Sequence, residues 1–427
     1  MKFFEDARKC YGGTIANVIM ITCLLALSGC LWDDTGELPT AQDKEYLPLD
    51  DSEYPYAGVP RLVIETENYG QIRDVTTEHK SKLQVYGKSG PEGNVLKLTV
   101  RGRGNSSAKM PKYGLKLEFD EKQSMFGMSK NRDWNLVANY GEKTHVRNHM
   151  AFRLSQWLGA SYTPGDQYVE LYLNRKYVGL YLFTESIKVG KNRVNIPKNE
   201  YSFLFEKEEN KKLDSPYVTT FQKHSFHVKN PKNPDPETLR LLQSHLDDFE
   251  RYLAKGDFYN RDNIETWIDM DSYLLQYWLQ EYSKNEDGSF LRSIFMTWEK
   301  DKPIYFGPIW DMDLSFGNES YEENQSPTGW YIRHGPWHRD LFRNRDFRNQ
   351  ANDYWKQNRQ KFRDLIDSIP LYVKEIEPAL KNEYKRWPIL KNTENWALKK
   401  PYDSYEEAVE DMKDWMEKRF QWIESNI

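Results

Sequence analysis

The chain has very little cysteine. Its three, Cys10, Cys23 and Cys30, all fall within the first thirty of 427 residues. An exported chain that keeps only the last of them has no intramolecular disulfide, so its stability has to come from a hydrophobic core. An excess of one charge is also lacking. Lys and Arg number 60 against 65 Asp and Glu, a formal net charge of −5, which gives no electrostatic footprint for nucleic acid. Long apolar runs are missing too. The strongest candidate, Thr14 to Leu27, is too short for a transmembrane helix. There is no internal repeat and no low-complexity tract.

That short apolar run does suit the core of a signal peptide. Lys2, Arg8 and Lys9 precede it, and it ends in Leu27-Ser28-Gly29-Cys30, which resembles a bacterial lipobox, cut before a cysteine that is then lipidated. The expectation is a signal peptide over residues 1–29 and a lipid anchor at Cys30. The protein is then expected in the cell envelope, and Asp33-Asp34 resembles the surface-export tag of some Gram-negative lipoproteins, which implies the outer membrane or cell surface. Residues 30–59, acidic and Pro-containing, read as a tether. Short strands and turns follow: Leu62–Glu65, Lys82–Tyr86, Leu96–Arg101, Tyr113–Phe119 and Trp134–Ala138. The first clear helix spans Thr144–Leu158, with Thr144 as N-cap and Gly159 as terminator. Tyr168–Leu173 and Tyr177–Phe183 predict a hairpin across Asn174-Arg175-Lys176. Helices are expected over Pro236–Lys255 and Ile264–Ser283, strands over Phe290–Trp298 and Ile304–Trp310, and charged helices beyond Arg339. This order predicts an α+β fold.

The segment Gly307-Pro308-Ile309-Trp310-Asp311-Met312-Asp313-Leu314-Ser315-Phe316-Gly317-Asn318 carries the clearest chemistry. Residues i and i+2 of an extended segment point to one side, so Asp311 and Asp313 could converge on a cation. Mg²⁺ is usually held by one or two carboxylates plus substrate phosphates. A solvated Asp turn is the competing reading. An EF-hand is disfavoured, because Phe316 stands where its sharp turn needs Gly. In Arg101-Gly102-Arg103-Gly104-Asn105, the glycines allow close backbone approach and the arginines offer forked donors to phosphate, although an ordinary turn has the same look. Lys116, beside Gly114 on a strand whose other face is apolar, could reach phosphates or simply face solvent. Arg147, opening the first helix, could add charge at an anion-attracting helix start or serve only near a cap. Glu185, at a strand end, could pair with Lys116. In Ser283-Lys284-Asn285-Glu286-Asp287-Gly288-Ser289, Asp287 could orient an attacking hydroxyl and Asn285 could help hold a metal, with an Asp-Gly turn as the local alternative.

In order along the chain, Arg101–Asn105, Tyr113–Leu117, Trp134–Tyr140, Arg147-Asn148, Glu170–Asn174, Gly179–Glu185, Ser283–Asp287 and Trp310–Gly317 resemble the CotH kinase family, named for a spore-coat protein kinase. The resemblance covers roughly residues 60–330. It implies a two-lobed, atypical protein-kinase-like fold that binds ATP with Mg²⁺ or Mn²⁺ and phosphorylates Ser or Thr of exported proteins. Carried over by position, Lys116 matches the nucleotide-phosphate lysine, with Glu185 as its partner. Asp287 matches the catalytic Asp, and Asp311 or Asp313 the metal-binding one. Arg101, Arg103 and Arg147 would supply further charge to the nucleotide. Asp313-Leu-Ser-Phe316-Gly317 echoes the kinase Asp-Phe-Gly element with two extra residues. The expected organisation is a kinase-like domain over 60–335 and a helical region over 336–427 packed on it. The competing function is a catalytically weak surface lipoprotein that binds protein or glycan, a reading encouraged by the 15% aromatic content.

Overall fold

Alternation of apolar and polar residues marks β-forming segments such as Leu115–Phe119 in the first half of the chain. In the computed structural model, which describes residue 49 and residues 51–427 except 73, 210–215, 257–260 and 319–324, seven strands close into a barrel. They are β1 (Arg61–Thr66), β2 (His79–Gly87), β3 (Gly90–Arg103), β4 (Gly114–Gln123), β5 (Asn131–Val137), β6 (Asp166–Leu173) and β7 (Lys176–Glu185). Their spatial order is β1-β2-β3-β4-β5-β7-β6, and parallel pairing of β1 with β6 closes the ring. Leu98, Leu117, Trp134, Leu171 and Phe183 fill the interior. The β6–β7 hairpin turns through Asn174 and Arg175, both at positive φ, the pattern that matches the twist of a tight hairpin.

A second sheet, in the order β12-β11-β8-β10-β9, comprises β8 (Ser202–Glu208), β9 (Tyr217–Thr219), β10 (Ser225–Asn230), β11 (Arg292–Glu299) and β12 (Tyr305–Phe306). Helix α1 (Arg147–Leu158) joins the barrel strands β5 and β6. Helices α2 (Pro236–Lys255), α3 (Arg261–Glu265) and α4 (Met270–Ser283) lie between β10 and β11, and α5 (Pro336–Phe342), α6 (Arg345–Arg386) and α7 (Tyr405–Glu424) complete the chain. Apart from Asp271, every residue of α4 is buried, as its all-round apolar pattern predicts. Helix α6 is fastened to the barrel through Lys112 and Glu383, whose side chains are fully buried and 2.6 Å apart. The end of the expected tether also lies against the barrel, with Tyr54 stacked on Tyr177 at 4.3 Å.

The α+β expectation holds. A closed barrel beside a five-stranded sheet is not by itself a two-lobed kinase arrangement. Three local expectations are corrected. The strand expected over Ile304–Trp310 runs only over Tyr305–Phe306, with Ile304 bridged to Ile268, and Gly307 then turns the chain at φ +133°. Helix α1 starts at Arg147, not Thr144, because His145 adopts φ +61° and the Thr144 hydroxyl turns to Glu142 instead of capping. Helix α4 starts at Met270, where Asp269 caps it by accepting from the Ser272 amide. The expected signal peptide and lipidated Cys30 lie outside the described residues. Among the described residues, no helix is long and apolar enough to cross a membrane.

Candidate functional site

Strands β3 and β4 pair so that Arg101 stands opposite Lys116 and Arg103 opposite Gly114. A Cβ on Gly114 would come within 3.1 Å of the Arg103 side chain. The glycine therefore makes room for Arg103 rather than for Lys116. Arg101, Arg103 and Lys116 all face a cleft of about 880 Å³, whose other wall carries Asp287, Asp311 and Asp313. Three cations come from neighbouring barrel strands and three carboxylates from the two segments that flank β11 and β12.

The carboxylates are crowded. Burial, then the neighbouring Asp311, pushes Asp313 well above the usual carboxylate range. Burial pushes Asp287 up to about 7, opposed by Arg292 and reinforced by Asp311. The Arg292 Nε lies 3.5 Å from Asp287. Asp311 accepts from the Ser293 hydroxyl at 3.0 Å and has φ +60°, a strained value for a residue other than Gly. The Arg103 guanidinium lies over the Trp310 ring at 5.3 Å. Its own ionisation is disfavoured by burial and favoured by Asp311. Lys116 is likewise lowered, by burial and then by Arg101.

Two expected residues, Glu185 and Arg147, stand elsewhere, and a third, Asn285, does not line the cleft. Glu185 does not pair with Lys116. It accepts from Tyr162 and the Gly165 amide, both at 3.1 Å, and lies 3.2 Å from the Arg193 Nε, whereas Lys116 is 3.9 Å from Asp133. Arg147 is buried away from the cleft, where it pairs with Glu142 and donates to the Ser315 carbonyl at 2.9 Å. Asn285 is buried. Its Nδ2 is 3.3 Å from the Met312 Sδ, while its Oδ1 has no hydrogen-bond partner among the described residues.

Among the described residues, no three His, Cys, Asp or Glu side chains are gathered as an all-protein metal cage. The donor set nonetheless suits a hard cation that keeps water and phosphate ligands, because that binding mode needs only one or two carboxylates. A divalent cation would relieve the mutual repulsion at Asp313, and the orphaned Asn285 oxygen is a further donor of the right chemistry.

Local reading of the sequence missed the wall supplied by the second sheet. Glu206 and Glu208 of β8 and Lys229 of β10 line the cleft, with Glu206 and Lys229 paired at 2.8 Å. A signal was present: Glu206-Lys207-Glu208 directly follows the apolar Phe203-Leu204-Phe205 in a strand buried throughout, and buried charges need partners.

The comparisons with known proteins bear on the same elements. No curated protein matches the chain. A family model described as CotH kinase protein matches residues 100–423, from the end of β3 that carries Arg101 to the last turn of α7. Since that match takes in both walls of the cleft and runs through most of the molecule, the chain belongs to the CotH kinase family.

Proposed function

We propose that the protein is an atypical protein kinase that transfers the ATP γ-phosphate to Ser or Thr of exported or surface proteins, using Mg²⁺ or Mn²⁺. The observation that carries the proposal is the meeting, in one cleft, of Arg101, Arg103 and Lys116 with Asp287, Asp311 and Asp313, in a chain that belongs to the CotH kinase family. In this reading the barrel end and the second sheet with its helices act as two lobes around the nucleotide.

Phosphoryl transfer depends chiefly on positioning and on neutralising the phosphate oxygens. Arg101, Arg103 and Lys116 would hold the phosphates. Asp311 and Asp313, with the Asn285 oxygen, would hold the metal. When bound, the metal neutralises charge on the transferring group. Asp287 would accept a hydrogen bond from the acceptor hydroxyl and take its proton. Its raised pKa brings it close to the operating pH, where general-base catalysis is most effective. Lipid anchoring through Cys30 in the cell envelope, with the outer membrane or surface favoured, belongs to the same proposal and is checked by radiolabelled-lipid incorporation into wild type and a Cys30→Ser variant.

The test of catalysis is transfer of labelled phosphate from Mg·ATP to the purified chain itself and to envelope protein extracts. Asp287→Ala and Asp311→Ala should abolish it. Undiminished labelling in both variants would refute the assignment. Tight Mg·ATP binding without transfer would favour the competing reading, a surface lipoprotein that binds protein or glycan.

A further inference from the structure

The loop that carries Asp311 and Asp313 begins and ends in strain. Asp311 has φ +60° and Phe316 φ +50°, and non-glycine residues hold such values only where their surroundings impose them. The constraint comes from two sides. At the start of α1, the Asn148 Oδ1 accepts from the Met312 amide at 2.8 Å. Arg147 donates through Nε to the Ser315 carbonyl at 2.9 Å and through Nη2 to the Phe316 carbonyl at 3.2 Å. At the end of α4, the Phe316 amide donates to the Ser283 carbonyl at 2.8 Å and the Glu286 amide to the Leu314 carbonyl at 3.0 Å. That second anchor is the segment that carries Asp287.

The α1 anchor is itself over-determined. The fully buried Glu142 pairs with Arg147 and accepts from the Thr144 amide at 2.7 Å. Asn148 donates through Nδ2 to the Asn139 side-chain oxygen at 3.1 Å, which fixes its amide so that Oδ1 faces Met312. From the C-terminal helices, Tyr405 donates to the Thr144 carbonyl at 3.0 Å. Neither Arg147 nor Asn148 lines the cleft.

We infer that Arg147 and Asn148 are positioning residues that set the metal-binding geometry of the Asp311–Asp313 loop. They do so by holding the backbone between and beyond the two aspartates. This inference rests on the metal reading of that loop. Outer partners that orient metal ligands typically contribute about 10–100-fold to metal affinity.

The experiment is calorimetric titration of Mn²⁺ into the metal-free, nucleotide-free full chain. It compares wild type, Asp311→Ala, Asn148→Ala and Asn148→Asp, with circular dichroism to establish folding at the working temperature. The expected result is a loss of about 10–100-fold in Mn²⁺ affinity for Asn148→Ala, and a smaller loss for Asn148→Asp, which keeps an acceptor oxygen for the Met312 amide but loses the donor to Asn139. Arg147→Lys, which retains the charge beside Glu142 but not the fork, should weaken binding in the same way and serves if Asn148→Ala does not fold. Wild-type affinity in Asn148→Ala or Arg147→Lys, with binding lost in Asp311→Ala, would overturn the inference alone. No Mn²⁺ binding to wild type, or binding indifferent to Asp311→Ala, would overturn the metal reading of the loop and the inference with it.

Discussion

Asp287→Asn should stabilise the fold while removing activity. The Asp287 carboxyl is largely buried, with Arg292 as its nearest cation at 3.5 Å and itself partly exposed. Burial dominates, and the carboxyl's pKa rises from 3.8 to about 7. Each pH unit of displacement corresponds to about 1.4 kcal/mol between the two protonation states, so the ionised group costs the fold at most about 4 kcal/mol. Local relaxation reduces this, and a measured gain of about 1–3 kcal/mol for the Asn variant at pH 8 is expected. The sign follows from the direction of displacement. A carboxyl whose folded pKa is raised favours the folded state below its unfolded pKa, and that contribution is lost as pH rises through the folded value. The advantage of Asn should therefore be absent near pH 4, grow from there through pH 7 and level off above it. Urea unfolding in EDTA between pH 4 and 8.5 measures it. An advantage independent of pH, or a variant less stable than wild type at pH 8, would refute the reasoning and would mean that the Arg292 pair outweighs burial. Adding Mg²⁺ should narrow the difference, since a cation on the neighbouring aspartates offsets part of the repulsion.

Lys112→Met should cost about 3–5 kcal/mol in urea unfolding, the usual result of stranding one member of a buried ion pair. Adding Glu383→Leu should recover only part of that loss, because the Leu180 amide and carbonyl, which pair with Glu383 and Lys112, are then left unsatisfied, and a double variant more unstable than the single would show that these main-chain bonds outweigh the stranded charge. Gly317 combines φ +83° with an approach of 2.9 Å from a built Cβ to the Trp415 ring, so Gly317→Ala should cost about 1–3 kcal/mol by thermal unfolding. Arg103→Met should weaken Mg·ATP binding by roughly tenfold or more, the loss of at least one hydrogen bond to a charged group. Glu185→Gln should leave that binding unchanged, because Glu185 meets Arg193 rather than the cleft. Isothermal titration of both variants checks the pair, and equal effects would return Glu185 to the nucleotide site.

Where structure is dictated by neighbours in sequence, the sequence could be read closely. Helix α2 runs over the expected Pro236–Lys255 because its signals are all local: Asp235 caps the Thr238 amide, Pro236 starts the first turn, and Gly256 ends it at φ +64°. The hairpin at Asn174-Arg175 and the apolar stripe of β4 are legible for the same reason. Barrel closure is not legible, because the parallel pairing of Arg61–Ile64 with Glu170–Leu173 joins segments more than a hundred residues apart, and periodicity carries no information about partner or register. The wall formed by β8 and β10 was missed on the same grounds.

The candidate site separates in a similar way into residue types and their partners. Asp311, Asp313, Asp287, Lys116 and both arginines of the β3 turn were legible as chemistry, and all six line one cleft. Their geometry was not legible. The argument that Asp311 and Asp313 share a face assumed an extended strand, but the ladder stops at Phe306 and Asp311 is left-handed. Whatever brings the two carboxylates to one cleft therefore cannot be strand pleating. It has to be imposed by the contacts that hold the loop, which come from Arg147, Asn148, Ser283 and Glu286. All four lie in motifs whose residue types suggest direct chemistry. A charged or amide side chain in a recognisable motif can act on the ligand or on the backbone that presents the ligand's partners. Only its burial and its hydrogen bonds distinguish the two roles. Arg147 and Asn148, buried and committed to main-chain groups of the Asp loop, belong to the second.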